Sequence, residues 1–177
     1  MRSLKVVFET QQFEEHAIAE ANLIRLYPHG LSLNQDPSRP ILILKDDTQK
    51  YTLAVNLTPI ETGVVIQQSS QNSTTTPHRV SQLLLESLKM SIQKAVFVAL
   101  KDHHQYLRLF LDGHPTHGSL KVKAEEAMSL CLHLEVPIYA SKKFINRSRV
   151  MHAEIDGLAQ GLQMNPGVMQ KTHEYLI

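Results

Sequence analysis

The segment Ala124–Leu134 reads Ala-Glu-Glu-Ala-Met-Ser-Leu-Cys-Leu-His-Leu and runs straight into Glu-Val-Pro-Ile-Tyr-Ala; it constrains the fold most. Ala124, Ala127, Met128, Leu130, Cys131 and Leu134 recur at helical spacing. Glu125 and Glu126 stand in the first turn, where the helix dipole favours negative charge. A short strand, Pro137–Ala140, is expected next. A helix with one apolar face needs a surface to cover, and the chain upstream is rich in strand patterns.

Leu23–Tyr27 and Leu31–Leu33 flank Pro28-His29-Gly30, which predicts a kink or bulge. Asn34–Pro40 is a turn cluster. Ile41–Lys45 and Tyr51–Leu57 are strands around a hairpin loop at Asp46–Gln49. Ile92–Leu100 and Tyr106–Leu111 pair across Lys101–Gln105, and Asp112–Gly118 turns the chain into Ser119–Val122. Thr58 as N-cap, Pro59 as N1 and Glu61 as N3 start a helix through about Gln68. Ser69–Thr76 is a polar low-complexity loop. A second helix, Pro77–Met90, is expected to bury Val80, Leu83, Leu84, Ser87 and Leu88.

At the ends, Leu4–Phe8 suggests a strand, Gln11–Asn22 an acidic helix, and Ser141–Asn146 a short final helix. Gly157, Gly161 and Asn165-Pro166-Gly167 predict only broken helix in the tail. The order argues for an α+β fold, a mixed and mostly antiparallel sheet with helices packed on it. The expected division is 1–22 as an accessory strand and helix, 23–147 as the main domain and 148–177 as a tail.

With 177 residues, 42% of them hydrophobic, the chain can bury one sizeable core. The formal charge is +1, but residues 23–150 hold 15 basic against 10 acidic groups, and both ends are acidic. That balance permits phosphate binding. Cys131 is the single cysteine, so an intrachain disulfide and a Cys-based zinc cage are excluded. Set between two leucines, it reads as core. No signal-peptide pattern and no membrane-length apolar run is visible, so a cytoplasmic protein is expected.

Gly30–Leu33, Arg39–Asp46, Thr58–Glu61, Pro77–Val80 running into Leu84–Leu88, and Ala127–Leu132 with Val136–Tyr139 follow in one consistent order over residues 23–147. Together they resemble the bifunctional nuclease domain family. The Thr58-Pro59-Ile60-Glu61 start is similar to that family's Gly-Pro-Ala-Glu, and Pro77-His78-Arg79-Val80 to its Thr-His-Asp-Leu. The resemblance implies cleavage of both DNA and RNA and assembly into oligomers, here a homodimer. The departures fall at Arg79, which replaces an acid, and at Lys121–Glu126, where the family has Asp-Ala-Arg-Pro-Ser-Asp. Lys123 keeps a positive charge without arginine's bidentate geometry, Glu126 lengthens an acidic arm, and Lys121 reverses a charge.

Phosphodiester hydrolysis needs neutralised phosphoryl oxygens, a positioned water and a protonated leaving group. Glu61, His78 and Glu126 are the candidate catalytic residues, each at the start of an expected helix. If those starts converge, Glu61 and Glu126 are candidate ligands for Mg²⁺ or Mn²⁺, and His78 is a ligand or a general acid–base. Glu61 and Glu126 equally suit capping and dipole compensation. Lys123 is assigned to the scissile phosphate, and Lys142, Lys143 and Arg147 to the flanking backbone, although a charge run of this kind is also an ordinary solvated face. His103, His104, His114 and His117 read as loop histidines. The alternative function is a non-catalytic member serving as a nucleic-acid- or protein-binding regulatory module.

Overall fold

The computed structural model describes residues 22–32, 40–69 and 77–164, with side chains described as far as Ala153 apart from that of Ser69. The strands are β1 (Leu23–Ser32), β2 (Ile41–Lys45), β3 (Thr52–Asn56), β4 (Ser91–Lys101), β5 (His104–Asp112), β6 (Ser119–Lys123) and β7 (Ile138–Ser141). The helices are α1 (Pro59–Ser69), α2 (Arg79–Ser87), α3 (Ala124–His133) and α4 (Lys142–Met164). One seven-stranded sheet has the order β3-β2-β1-β7-β4-β5-β6. Only β4 and β7 pair in parallel, so the α+β class and the mostly antiparallel sheet stand as expected.

Strict alternation builds the core. Leu42 and Leu44, Leu53 and Val55, Leu107 and Leu109 point inward from β2, β3 and β5, with their strand neighbours facing the other way. Pro28-His29-Gly30 does not divide β1; the register shifts between Pro28 and Gly30, and pairing with β2 continues. In the β2–β3 loop the Asp46 carboxylate accepts from the Thr48 hydroxyl and from the Tyr51 backbone N–H at 2.7 Å. Burial alone would raise the Asp46 carboxyl, but these hydrogen bonds hold it below the ordinary value.

Three helices cover the inner face. The central helix, α3, buries Ala124, Ala127, Met128 and Cys131, the face that its spacing predicts. Burial, with the Glu61 carboxylate adding to it, pushes the Cys131 thiol up to about 12, which leaves it a neutral core residue. From the fourth helix come Phe144, Ile145, Ser148 and Met151. The Gln105 amide of β5 ties this helix to the sheet, donating to Ser148 Oγ at 2.6 Å and to the Ala54 carbonyl of the edge strand β3 at 2.8 Å.

Two expectations are corrected. Helix α4 runs unbroken to Met164 through Gly157 and Gly161, so the short helix at Ser141–Asn146 and the broken helix after 151 do not hold, and the expected boundary at 147 falls inside a helix. An interior glycine costs about 1 kcal/mol, which a buried face elsewhere on the helix outweighs. The second correction concerns α2, in which no residue is buried. Val80, Leu83, Leu84 and Leu88, expected in the core, are between 47% and 66% exposed. The expected strand at Leu4–Phe8, the expected helix at Gln11–Asn22 except its last residue, most of the turn cluster and the 70–76 loop lie outside the described residues.

Gly113 has φ +80, and a Cβ there would meet the Lys89 carbonyl oxygen at 2.1 Å, whereas nothing lies within 4 Å of one at Gly118. Gly113→Ala is therefore expected to lower stability by more than about 1 kcal/mol in urea unfolding. Gly118→Ala, in the same loop, is expected to be neutral.

Candidate functional site

Thr58 caps α1 as its sequence predicts, its Oγ1 accepting from the Glu61 N–H at 3.2 Å. The Glu61 carboxylate, however, is directed across to α3, where its Oε2 accepts from the Ser129 N–H at 3.1 Å. His78 occupies the N-cap position of α2 without capping it; its Nε2 lies 2.6 Å from Ser129 Oγ. Two residues from separate helices, 17 positions apart in sequence, thus meet on one buried serine. Four residues further along each helix the contact repeats, with His133 Nε2 3.1 Å from Gln82 Oε1. The repeat sets α2 beside α3 in the same direction, held by polar groups while its apolar face points outward.

Burial and neighbouring charges together set the protonation of His78. Burial lowers its pKa below 6.5, His133 adds to that, and the Glu61 carboxylate opposes both. Its imidazole is consequently neutral at pH 7, able to take up a proton that Glu61 then stabilises. Either tautomer satisfies Ser129, whose hydroxyl can donate to Nε2 or accept from it. Ser129 is fully buried, so it positions His78 and does not attack an external substrate.

The other expected site residues stand apart from this pair. Glu126 is exposed one turn before Ser129 and makes no hydrogen bond or ion pair with Glu61 or His78. The helix starts do not converge three at a time; α1 and α2 begin beside the middle of α3. Lys123 closes β6, with its Nζ 3.7 Å from Glu125 Oε1, and the same oxygen receives His104 Nδ1 at 2.9 Å. Lys142, Lys143 and Arg147 are exposed on α4, where Lys143 and Arg147 share a face. Among the described residues no group of three or more His, Cys, Asp or Glu side chains is placed to hold a metal ion. Glu61 and His78 meet on Ser129 while Glu126 stands apart, so the three side chains do not share one point.

Ser129, Gln82 and His133 were not singled out in the sequence. The one signal is a serine inside the apolar run Met-Ser-Leu-Cys-Leu, with a histidine four residues on. Beyond His133 a cavity of about 490 Å³ opens between α1, α3 and β1, lined by Leu31, Leu42, Val65, Gln68 and Leu132. Both amide atoms of Gln68 are buried there without a hydrogen-bond partner. No family model matches the chain, and no curated protein matches it. No helix among the described residues is long and apolar enough to cross a membrane.

Two outcomes follow from this geometry. The unfolded state protonates His78 near 6.5 and the folded state only below that, so stability falls as pH drops through this window. His78→Gln should start with a lower Tm at about pH 8 and lose less of it down to about pH 5. Gln68→Leu removes an unsatisfied buried amide and should leave Tm unchanged or raised, read by calorimetry.

Proposed function

We propose that the chain is a phosphodiester hydrolase acting on DNA and RNA, with His78 as its proton-transfer group and Glu61 as the carboxylate that stabilises the protonated ring. The meeting of Glu61 and His78 on Ser129 supports this reading, since those two positions are the ones the family resemblance singles out. A neutral imidazole can take a proton from an attacking water and return it to the leaving oxygen. Lys142, Lys143 and Arg147 are assigned to the flanking backbone, whereas Lys123, held by Glu125 at the edge of β6, and Glu126 stand apart from Glu61 and His78.

A second reading, a non-catalytic nucleic-acid- or protein-binding module, draws on a specific observation. Both Glu61 and His78 are engaged by Ser129, the arrangement expected of a structural tie between helices. Under either reading a cytoplasmic setting suits a lone, buried thiol.

The proposal includes a homodimer formed through α2. Its outward face of Val80, Leu83, Leu84 and Leu88 is covered when two copies of the helix pack antiparallel. Arg79 and Glu86 are seven residues apart on one flank, so an antiparallel pair sets each opposite the other's counterpart.

The hydrolase is tested on labelled single-stranded DNA and RNA, with Mg²⁺, Mn²⁺ or chelator. Wild type should cut, and His78→Ala should lose at least about 100-fold in rate, with Glu61→Gln also impaired. Cutting that survives both variants contradicts the site. Salt-sensitive retention without cutting favours the binding module. For the dimer, Leu84→Asp and Arg79→Glu should each shift sedimentation toward the monomer, and Arg79→Glu with Glu86→Arg should restore the dimer. A monomeric wild type contradicts it.

A further inference from the structure

The seven strands carry seven basic residues and a single acidic one, Asp112 at the end of β5. Cross-strand register places all seven cations on the face turned away from the helices. Arg25 lies opposite Tyr139, Tyr139 opposite Val96, Val96 opposite Arg108, and Arg108 opposite Lys121. These five residues form one row across β1, β7, β4, β5 and β6, spanning about 19 Å at the usual strand spacing. Their strand neighbours Leu26, Ile138, Ala95 and Leu109 point into the core instead.

Aromatic rings are interleaved with this row. Tyr27, paired with Lys45, lies under the Arg25 guanidinium at 5.1 Å. The Lys94 ammonium sits 4.9 Å from the Phe110 ring, and that of Lys121 4.9 Å from the Tyr106 ring. Lys101 and Lys123 extend the face beside His104 and Tyr106. Glu125, at the edge, is already engaged by His104 and Lys123.

We infer that this outward sheet face binds a single strand of nucleic acid, its phosphates along the Arg25–Arg108–Lys121 row and its bases against Tyr27, Tyr139 and Tyr106. A cationic track alone would suit any polyanion. The interleaved rings favour unpaired bases, whose faces a duplex hides. The site is separate from the helix-side cluster and from the α4 cations. It rests on the nucleic-acid partner of the proposed function, and not on cleavage.

The test is fluorescence anisotropy of labelled oligo(dT) and oligo(U), about 15 nucleotides long, with the full chain in chelator. Wild type should bind at low salt. Arg25→Ala with Lys121→Ala should weaken binding at least about tenfold and flatten the log–log salt dependence by about 1.4, because each phosphate contact on a single strand contributes about 0.7. Tyr27→Ala should weaken binding at least about fivefold with the salt dependence unchanged, and Tyr27→Phe should restore it. Because the assay is run in chelator and reads binding alone, binding by a wild type that does not cut leaves this inference standing and overturns only the hydrolase. No binding at low salt overturns the inference. Binding that neither the double variant nor Tyr27→Ala weakens overturns it as well.

Discussion

Ser129 is the point on which the helix layer depends. Its N–H donates to the Glu61 carboxylate, and its hydroxyl is hydrogen-bonded to the His78 imidazole. One small polar residue, placed among Met128, Leu130 and Cys131, thereby fixes the first turn of α1 and the start of α2 against the middle of α3. A hydrogen bond to an ionised acceptor is stronger than a neutral one, and burial raises the cost of leaving any of these groups unpaired. The first helix also has apolar packing through Val65, but α2 has no buried residue and relies on this junction and on the Gln82–His133 contact. Loss of the junction would release α2 before it disturbed the core.

Much of the sheet was legible in the sequence, because Ile41–Lys45, Tyr51–Leu57 and Tyr106–Leu111 are apolar runs bounded by turn residues, which marks strands without long-range information. The Thr58 cap was legible for the same local reason. Amphipathicity misled in α2, since an apolar stripe says that a face will be covered and not by what. Glycine misled in α4, where Phe144, Ile145, Ser148 and Met151 hold the helix to the sheet strongly enough for it to continue past Gly157. Glu61 and His78 were found, yet their meeting point was not. Contacts 68 and 51 residues apart leave no periodic trace, and a lone serine in an apolar helix is a weak one. The expected place of Glu126 beside them failed for a simple geometric reason. It lies a turn earlier on α3, on the exposed side.

The two sides of the sheet divide the chemistry of the molecule. Described acidic residues on helices, Glu61, Glu86, Glu125 and Glu126, lie on the helix side or at its edge, while the strands present cations outward. Register alone produces that separation, because residues two apart on a strand share a face and paired residues on adjacent strands do too. The Glu61–His78–Ser129 cluster, the apolar face of α2 and the cationic sheet face are distinct parts of the molecule; the last two are built from residues whose helical phase or alternation sends them away from the common core.

The junction itself is tested most directly by following the His78 ring nitrogens through a pH titration by NMR. The account predicts that His78 titrates below 6.5, and that Glu61→Gln moves it lower still, since the carboxylate favours the charged ring. A His78 that titrates at the ordinary histidine value, unmoved by Glu61→Gln, would mean that the two side chains do not meet on Ser129, and the site proposed there would fall with them.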